Sequence, residues 1–193
     1  MNRPILPAAA IVFAAVGLLA LGYYAAVFIG ARLYQTREAR SFVPEKHAES
    51  PATLRRANPV TGSAVAMLEI PRLGMSMVVL EGAEERQLKL GPGHIRGTPM
   101  PGTGGNVGVA GHRDTFFRPL RFTRKKDTIK MITHGQEYRY TVVSLEIVEP
   151  SNIEALRPTG HETLTLVTCY PFDFVGPAPK RFIVRADCED CER

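Results

Sequence analysis

From Pro4 to Ala31 the sequence contains no Asp, Glu, Lys, Arg or His. A helix needs about 20 apolar residues to cross the hydrocarbon core of a bilayer, so this uncharged run is long enough to span one. The alternative is a cleaved secretory signal. Signal cores are usually about 7–15 residues long and end at a small-x-small site. This run is longer and closes on Gly30-Ala31-Arg32 without an obvious site of that kind. An uncleaved transmembrane helix over residues 1–33 is therefore predicted. Gly17 and Gly22 are tolerable in such a helix, and Tyr23, Tyr24 and Tyr34 mark a membrane interface. Three arginines (Arg32, Arg37, Arg40) follow the run and only Arg3 precedes it. By the positive-inside rule that bias would place the remainder in the cytoplasm, but the rule weakens where a large domain is translocated.

The next stretch, 34–62, mixes charge with Pro44, Pro51 and Pro59 and holds few large apolar residues. It reads as a tether whose first turns continue the helix through Arg37-Glu38-Ala39-Arg40. Residues 63–193 then form the body. The formal charge of +5 hints at nucleic acid until it is divided along the chain. Residues 1–62 carry seven Lys/Arg against three Glu, and 63–193 carry seventeen against sixteen Asp/Glu. The body is nearly neutral, so nucleic acid is not expected as a partner.

The chain has 17 glycines and 15 prolines, which favours many short elements over a helical bundle. Short apolar strands are expected over 64–70 and 75–80, joined by Pro71-Arg72-Leu73-Gly74. A short helix is expected over 83–90, with acids early and Gly91-Pro92 beyond its end. Residues 91–105 are dense in Gly and Pro and read as a long loop. Asn106 to His112 is a buried strand whose glycines allow close backbone approach. Strands follow at 128–133 and 137–148. Ser151 and Glu154 have capping-box spacing, predicting a short helix to about Leu156. Glu162 to Cys169 alternates in polarity and is stopped by Tyr170-Pro171, because proline has no ladder donor. A last strand covers 180–186. Seven or eight short strands allow a sandwich or a closed barrel, and closure, which removes exposed edges, favours the barrel. The basic segment from Arg118 to Lys130 reads as a solvated loop face ahead of an anion-binding patch.

Three residues at strand ends are candidates to carry the chemistry. A cysteine nucleophile acts as its thiolate and needs a cationic neighbour. It also needs a proton donor for the departing amine and positive charge where the acyl oxyanion develops. Cys169, His112 and Arg181 supply these groups, although each alone has a bland explanation: a buried small hydrophobe, a structural imidazole and an edge-strand guanidinium. Arg185, further along the same strand, is placed by alternation on the face of Arg181 and competes with it.

Together these residues resemble a known family. Thr165-Leu166-Val167-Thr168-Cys169 resembles the TLxTC signature of sortases, the membrane-anchored cysteine transpeptidases of bacterial surfaces. Gly111-His112-Arg113-Asp114-Thr115-Phe116-Phe117 looks like their histidine motif in its class D form, and Lys180-Arg181-Phe182-Ile183-Val184 is similar to their arginine strand. The resemblance covers roughly residues 64–186 and implies an all-β, closed eight-stranded barrel with short helices behind an N-terminal transmembrane helix. It implies Cys169 as nucleophile, His112 as general acid and base, Arg181 as the holder of substrate backbone or oxyanion, and Thr168 as a substrate contact. Implied partners are the membrane, surface proteins bearing an LPxTG-like C-terminal sorting motif, and an amine acceptor such as a peptidoglycan cross-bridge or a pilin lysine. The implied place is the cell membrane, single-pass, with the catalytic domain outside the cytoplasm. The chemistry requires no metal and no organic cofactor. Two other readings stand beside it: a processing endopeptidase in which water resolves the thioester, and a catalytically silent, anchored barrel that only binds. Among the other histidines, His94 is expected at most to line a loop, and His134 and His161 to be exposed. Asp114 is expected to serve its loop more than His112. The C-x-x-C of Cys188 and Cys191 suits either a disulfide or a tail with no role, and leaves Cys169 unpaired.

Overall fold

The computed structural model describes residues 5–42, 59–133, 136–189 and 191. Most of the expected tether (43–58) and His134 lie outside the described residues. Helix α1 runs Ile5–Ala39 and ends in a 3₁₀ turn at Arg40–Phe42. Its 35 residues, at a rise of about 1.5 Å each, reach about 50 Å, against about 30 Å for a bilayer core. The most apolar stretch of the helix beyond Ala9 has a mean hydropathy of 2.2, and none of it is buried against protein.

The body is the expected closed barrel. Its strands are β1 (Ala64–Ile70), β2 (Met75–Glu81), β3 (Gly93–His94), β4 (Asn106–Gly111), β5 (Thr128–Thr133), β6 (Gln136–Val148), β7 (Thr163–Tyr170) and β8 (Lys180–Cys188). They close in the order β1-β2-β3-β4-β7-β8-β6-β5. Only β2/β3 and β4/β7 pair in parallel. Alternation turns Leu68, Val107, Val109, Leu164, Leu166 and Val184 inward, where they meet Phe117, Leu120, Ile129, Met131 and Tyr140 in one core. The opposite residues of β4 and β7 face outward, and this outer face carries the site.

Several elements differ from expectation. The helix expected over 83–90 is a single turn, α2 (Glu85–Leu88). The Gly-rich segment is not all loop, because Gly93 and His94 bridge β2 to β4. His94 does more than line a loop. It is 4% exposed, with Nδ1 2.8 Å from Glu81 Oε2 and Nε2 3.1 Å from the Pro99 carbonyl. The segment before β7 forms a 3₁₀ turn at Glu154–Leu156 with no capping box; Asn152 Oδ1 instead accepts the Glu154 N–H at 3.0 Å. Strand β8 continues to Cys188, whose N–H donates to the Glu162 carbonyl. Cys188 and Cys191 are joined in a disulfide.

The end of α1 is docked on the barrel. Phe42 is buried with Val78 and Leu80, and Tyr34 and Ala39 pack against them. Gln35 donates to the carbonyls of Val78 (3.1 Å) and Leu90 (2.9 Å), and its Oε1 accepts the Val78 N–H at 2.6 Å. The amide thus pairs with both backbone groups of Val78 as a neighbouring strand would. A Cβ on Gly91 would fall 2.8 Å from the Val78 carbonyl and closer still to Gln35 Nε2, so the fit requires glycine there.

Candidate active site

Cys169 is the only free cysteine among the described residues, and it is half-buried near the end of β7. In the antiparallel β7/β8 ladder its direct partner is Arg181. Directly paired residues have Cα atoms about 5 Å apart and side chains on one face. On the other side β4 runs parallel to β7, with Gly111 opposite Thr168. His112 follows Gly111, so the register continued by one residue sets it beside Cys169. Strands β7 and β8 therefore pair Cys169 with Arg181, and on the other side of Cys169 strand β4 ends one residue short of His112. All three are half-buried, as groups reached from solvent but held by a sheet must be.

The sheet beneath them is pinned from both faces. Thr168 points inward, is 2% exposed, and its hydroxyl donates to the Gly111 carbonyl at 2.7 Å. That bond ties the residue before the cysteine to the residue before the histidine. The Thr168 hydroxyl is thereby committed to the protein, on the face of the sheet opposite Cys169. On the outer face, Thr165 donates to Asn106 Oδ1 (2.7 Å), while Asn106 Nδ2 donates to the carbonyls of Ala155 and Arg157, both at 3.0 Å. The turn at Glu154–Leu156 thus roofs the lower part of β4 and β7. Gly108 lies under this roof: a Cβ there would meet Leu156 and Thr98 side-chain carbons at 3.0 Å. The absence of a side chain at Gly108 is what lets the turn approach the strand so closely.

The two arginines of β8 separate in space. Arg185 pairs with Thr165, four residues along the strand from the Arg181–Cys169 pair. At the usual strand rise that is about 13 Å. Its Nη2 donates to the Ala155 carbonyl at 3.3 Å, so it belongs to the roof. Arg181 donates from Nη1 to the carbonyls of Lys180 (3.1 Å) and Ala178 (3.4 Å). These acceptors lie in the first residue of β8 and near the end of the β7–β8 connection (residues 171–179).

That connection links cysteine to arginine and is held from the β4 side. Arg113 donates to the carbonyls of Pro171 (3.0 Å), Phe174 (2.7 Å) and Gly176 (2.9 Å), and its guanidinium lies over the Phe174 ring. Arg121 pairs with Asp173, which holds the Asp173 carboxyl below its usual range. Tyr170, Phe172 and Phe182 form an aromatic cluster, with Phe172 and Phe182 5.4 Å apart, at the root of the connection. The basic segment that follows His112 is therefore partly structural rather than only a solvated face. A hydrogen bond from Lys89, with a smaller contribution from His112, keeps the Glu85 carboxyl below its ordinary range. Asp114 is exposed. His161 is exposed as expected and lies 3.2 Å from Asp187.

One further polar cluster lies away from the thiol. Glu162 accepts from the Gly102 N–H (2.8 Å), the Gly104 N–H (3.1 Å) and the Tyr140 hydroxyl (2.5 Å). Burial, and then the adjacent Glu162 carboxylate, push the Tyr140 phenol far above its ordinary range, so it remains a donor. Ligand atoms of Glu162, Cys188 and Cys191 lie within 4.8 Å of one another. Both sulfurs are spent in the disulfide and both carboxylate oxygens accept hydrogen bonds, so the cluster holds the 102–104 loop and is not built for a metal. Nothing local in the sequence marks Arg113, Gln35 or the Glu162 network. Arg113 lies within the Gly111–Phe117 motif, but no neighbouring residue shows that it reaches carbonyls far along the chain.

Comparison with known proteins finds relatives of this chain in sequence and in fold. A family model described as a sortase domain matches residues 68–189. Sortase D of Bacillus subtilis (strain 168) is 30% identical over 182 residues, covering 88% of this chain and 92% of that protein. The structure of a Clostridium perfringens sortase D5 transpeptidase superposes with a TM-score of 0.69 at 26% identity, covering 82% of this chain and 97% of that one. The SrtA sortase of Actinomyces oris gives a TM-score of 0.63 at 27% identity, over 69% of this chain and 83% of that one.

Proposed function

The chain belongs to the sortase family, in its class D type, and from that membership we propose that Cys169, His112 and Arg181 are its catalytic residues. Sortases are cysteine transpeptidases that act on LPxTG-type sorting motifs and amine acceptors at the cell envelope, and this chain is one of them. The observation that carries the residue assignment is the register: Cys169 lies opposite Arg181 on one side and beside the His112 position on the other.

In the first half-reaction the Cys169 thiolate attacks the carbonyl carbon of the motif threonine. The new S–C bond places negative charge on the carbonyl oxygen, and Arg181, with five donors in a fixed fork, faces that charge or the substrate backbone. The C–N bond to glycine then breaks, and His112 delivers its proton to the departing amine. A thioester on Cys169 remains. In the second half-reaction an acceptor amine enters, loses a proton to His112 and attacks the thioester, releasing the thiolate. To reach a substrate Arg181 exchanges its long contacts to the Lys180 and Ala178 carbonyls for bonds to the peptide. Thr168 acts beneath the site, through the Gly111 carbonyl, and not as an open hydroxyl for substrate.

The finer assignments rest on this reading. The donors are surface proteins with an LPxTG-like C-terminal motif, and the acceptor is a peptidoglycan cross-bridge amine or a pilin lysine. Residues 1–33 are a single-pass anchor, 34–62 join it to the barrel, and 63–193 are the catalytic domain outside the cytoplasm. The test is to incubate the protein with a library of sorting-motif peptides and identify the adduct by mass spectrometry. A peptide truncated after threonine and attached to Cys169, absent in Cys169→Ala, is expected. A wild-type protein that forms no adduct on Cys169 would sink the assignment. Adding an amine nucleophile then distinguishes ligation from hydrolysis of the thioester.

A further inference from the structure

Arg113 stands immediately after His112, yet its guanidinium is spent on a different part of the chain. Three carbonyls, Pro171, Phe174 and Gly176, converge on it at 2.7–3.0 Å, and the Phe174 ring centroid lies 5.8 Å from it. These carbonyls span most of the connection between Cys169 and Arg181. They come from three points along the connection, and a planar guanidinium with five donors in a fixed fork meets them together. Gly176 contributes a carbonyl from a backbone with positive φ, a conformation that favours glycine. One side chain therefore joins the segment carrying the histidine to the segment that begins at the cysteine and ends at the arginine.

We propose that Arg113 is a positioning residue for the transpeptidation, locking the β7–β8 connection to the chain at His112 and so setting the spacing of His112 from Cys169 and Arg181. It touches no reacting atom. The β7/β8 ladder already fixes Cys169 against Arg181, and the Thr168–Gly111 bond fixes β4 against β7. His112, however, lies one residue past the last ladder position of β4, where strand pairing has ended. The Phe117 N–H donates to the His112 carbonyl at 3.0 Å and closes the turn, and the Arg113 clamp ties that turn to the β7–β8 connection. Arg121, through Asp173, is a second tether on the same connection but starts further along the chain from His112.

The proposal rests on the catalytic assignment above, and the experiment separates the two. Full-length wild type, Arg113→Gln and Arg113→Lys are compared in peptide ligation, with rates corrected for the fraction of Cys169 that can be acylated. Displacing a catalytic group by about 1 Å can cost a hundredfold in rate. The expected result is a fall in kcat of roughly ten- to a hundredfold in both variants, with peptide KM changed less than about threefold and an altered pH profile for kcat. Lysine should not rescue, because it lacks the planar fork. Should Arg113→Gln fail to fold, Gly176→Ala disturbs the same clamp from the other side and is expected to give the same kcat-against-KM pattern. Variants that keep corrected kcat and its pH profile, whatever their melting temperature, overturn the positioning role. A wild type that is never acylated on Cys169 overturns the catalytic assignment, and the proposal with it.

Discussion

Arg181 and Arg185 share one face of β8, and their cross-strand partners differ. Arg181 sits opposite Cys169, and Arg185 sits opposite Thr165 under the Ala155 roof. The consequence is a split in mutant behaviour. Arg181→Lys keeps the charge but loses the fork, and kcat/KM for peptide ligation should fall by about ten- to a hundredfold. Arg185→Ala should leave kcat/KM within about threefold while lowering the melting temperature, because a half-buried contact to the roof is lost. Steady-state kinetics and thermal melts on the two variants check both halves. The sequence motif names Arg181 by its spacing from Cys169, and β-alternation cannot choose between the two, since both lie on one face.

Among the elements, connections are held by charged side chains that reach across the fold. Arg72, in the β1–β2 turn, donates to Asp127 from Nε (2.5 Å) and Nη2 (2.6 Å), and Asp127 also accepts the Arg124 N–H at 2.8 Å. The Arg72 hydrogen bond is the main reason the Asp127 carboxyl is held below its ordinary value of 3.8. A carboxyl depressed on folding contributes stability above its unfolded pKa and loses it as pH falls through the folded value. The stability gap between wild type and Asp127→Asn should thus be constant above about pH 5 and close progressively below about pH 4. Urea unfolding at neutral pH and at two points below the unfolded pKa measures it. The docked end of α1 makes a second prediction at this scale. Gln35 Oε1 accepts the Val78 N–H. Gln35→Ala leaves that donor without its partner and should destabilise the full chain in detergent by about 1–3 kcal/mol. Arg37 is exposed two residues further on. Arg37→Ala should therefore stay within about 0.5 kcal/mol of wild type in the same unfolding measurement.

At the scale of the whole molecule, the end of α1 and the barrel meet through a built contact at Gln35 and Phe42. The proposed external location of the barrel opposes the arginine bias after the span. Intact cells treated with protease should therefore lose the barrel domain, while a protected domain would place it in the cytoplasm. By itself the sequence determined a run long and apolar enough to span a bilayer, the strand periodicity and the three motif residues, because uncharged length, alternation and motif order are all local or linear properties. It also left sandwich and barrel open, and read the Gly-rich segment as loop, because closure depends on β3, a two-residue bridge too short to carry a period. Only the tertiary structure decided what Arg185 holds, which way Thr168 points, and what Arg113, Gln35 and Glu162 hold. Each of those facts depends on a partner strand or a carbonyl far along the chain, and a linear sequence does not display the contacts that closure creates.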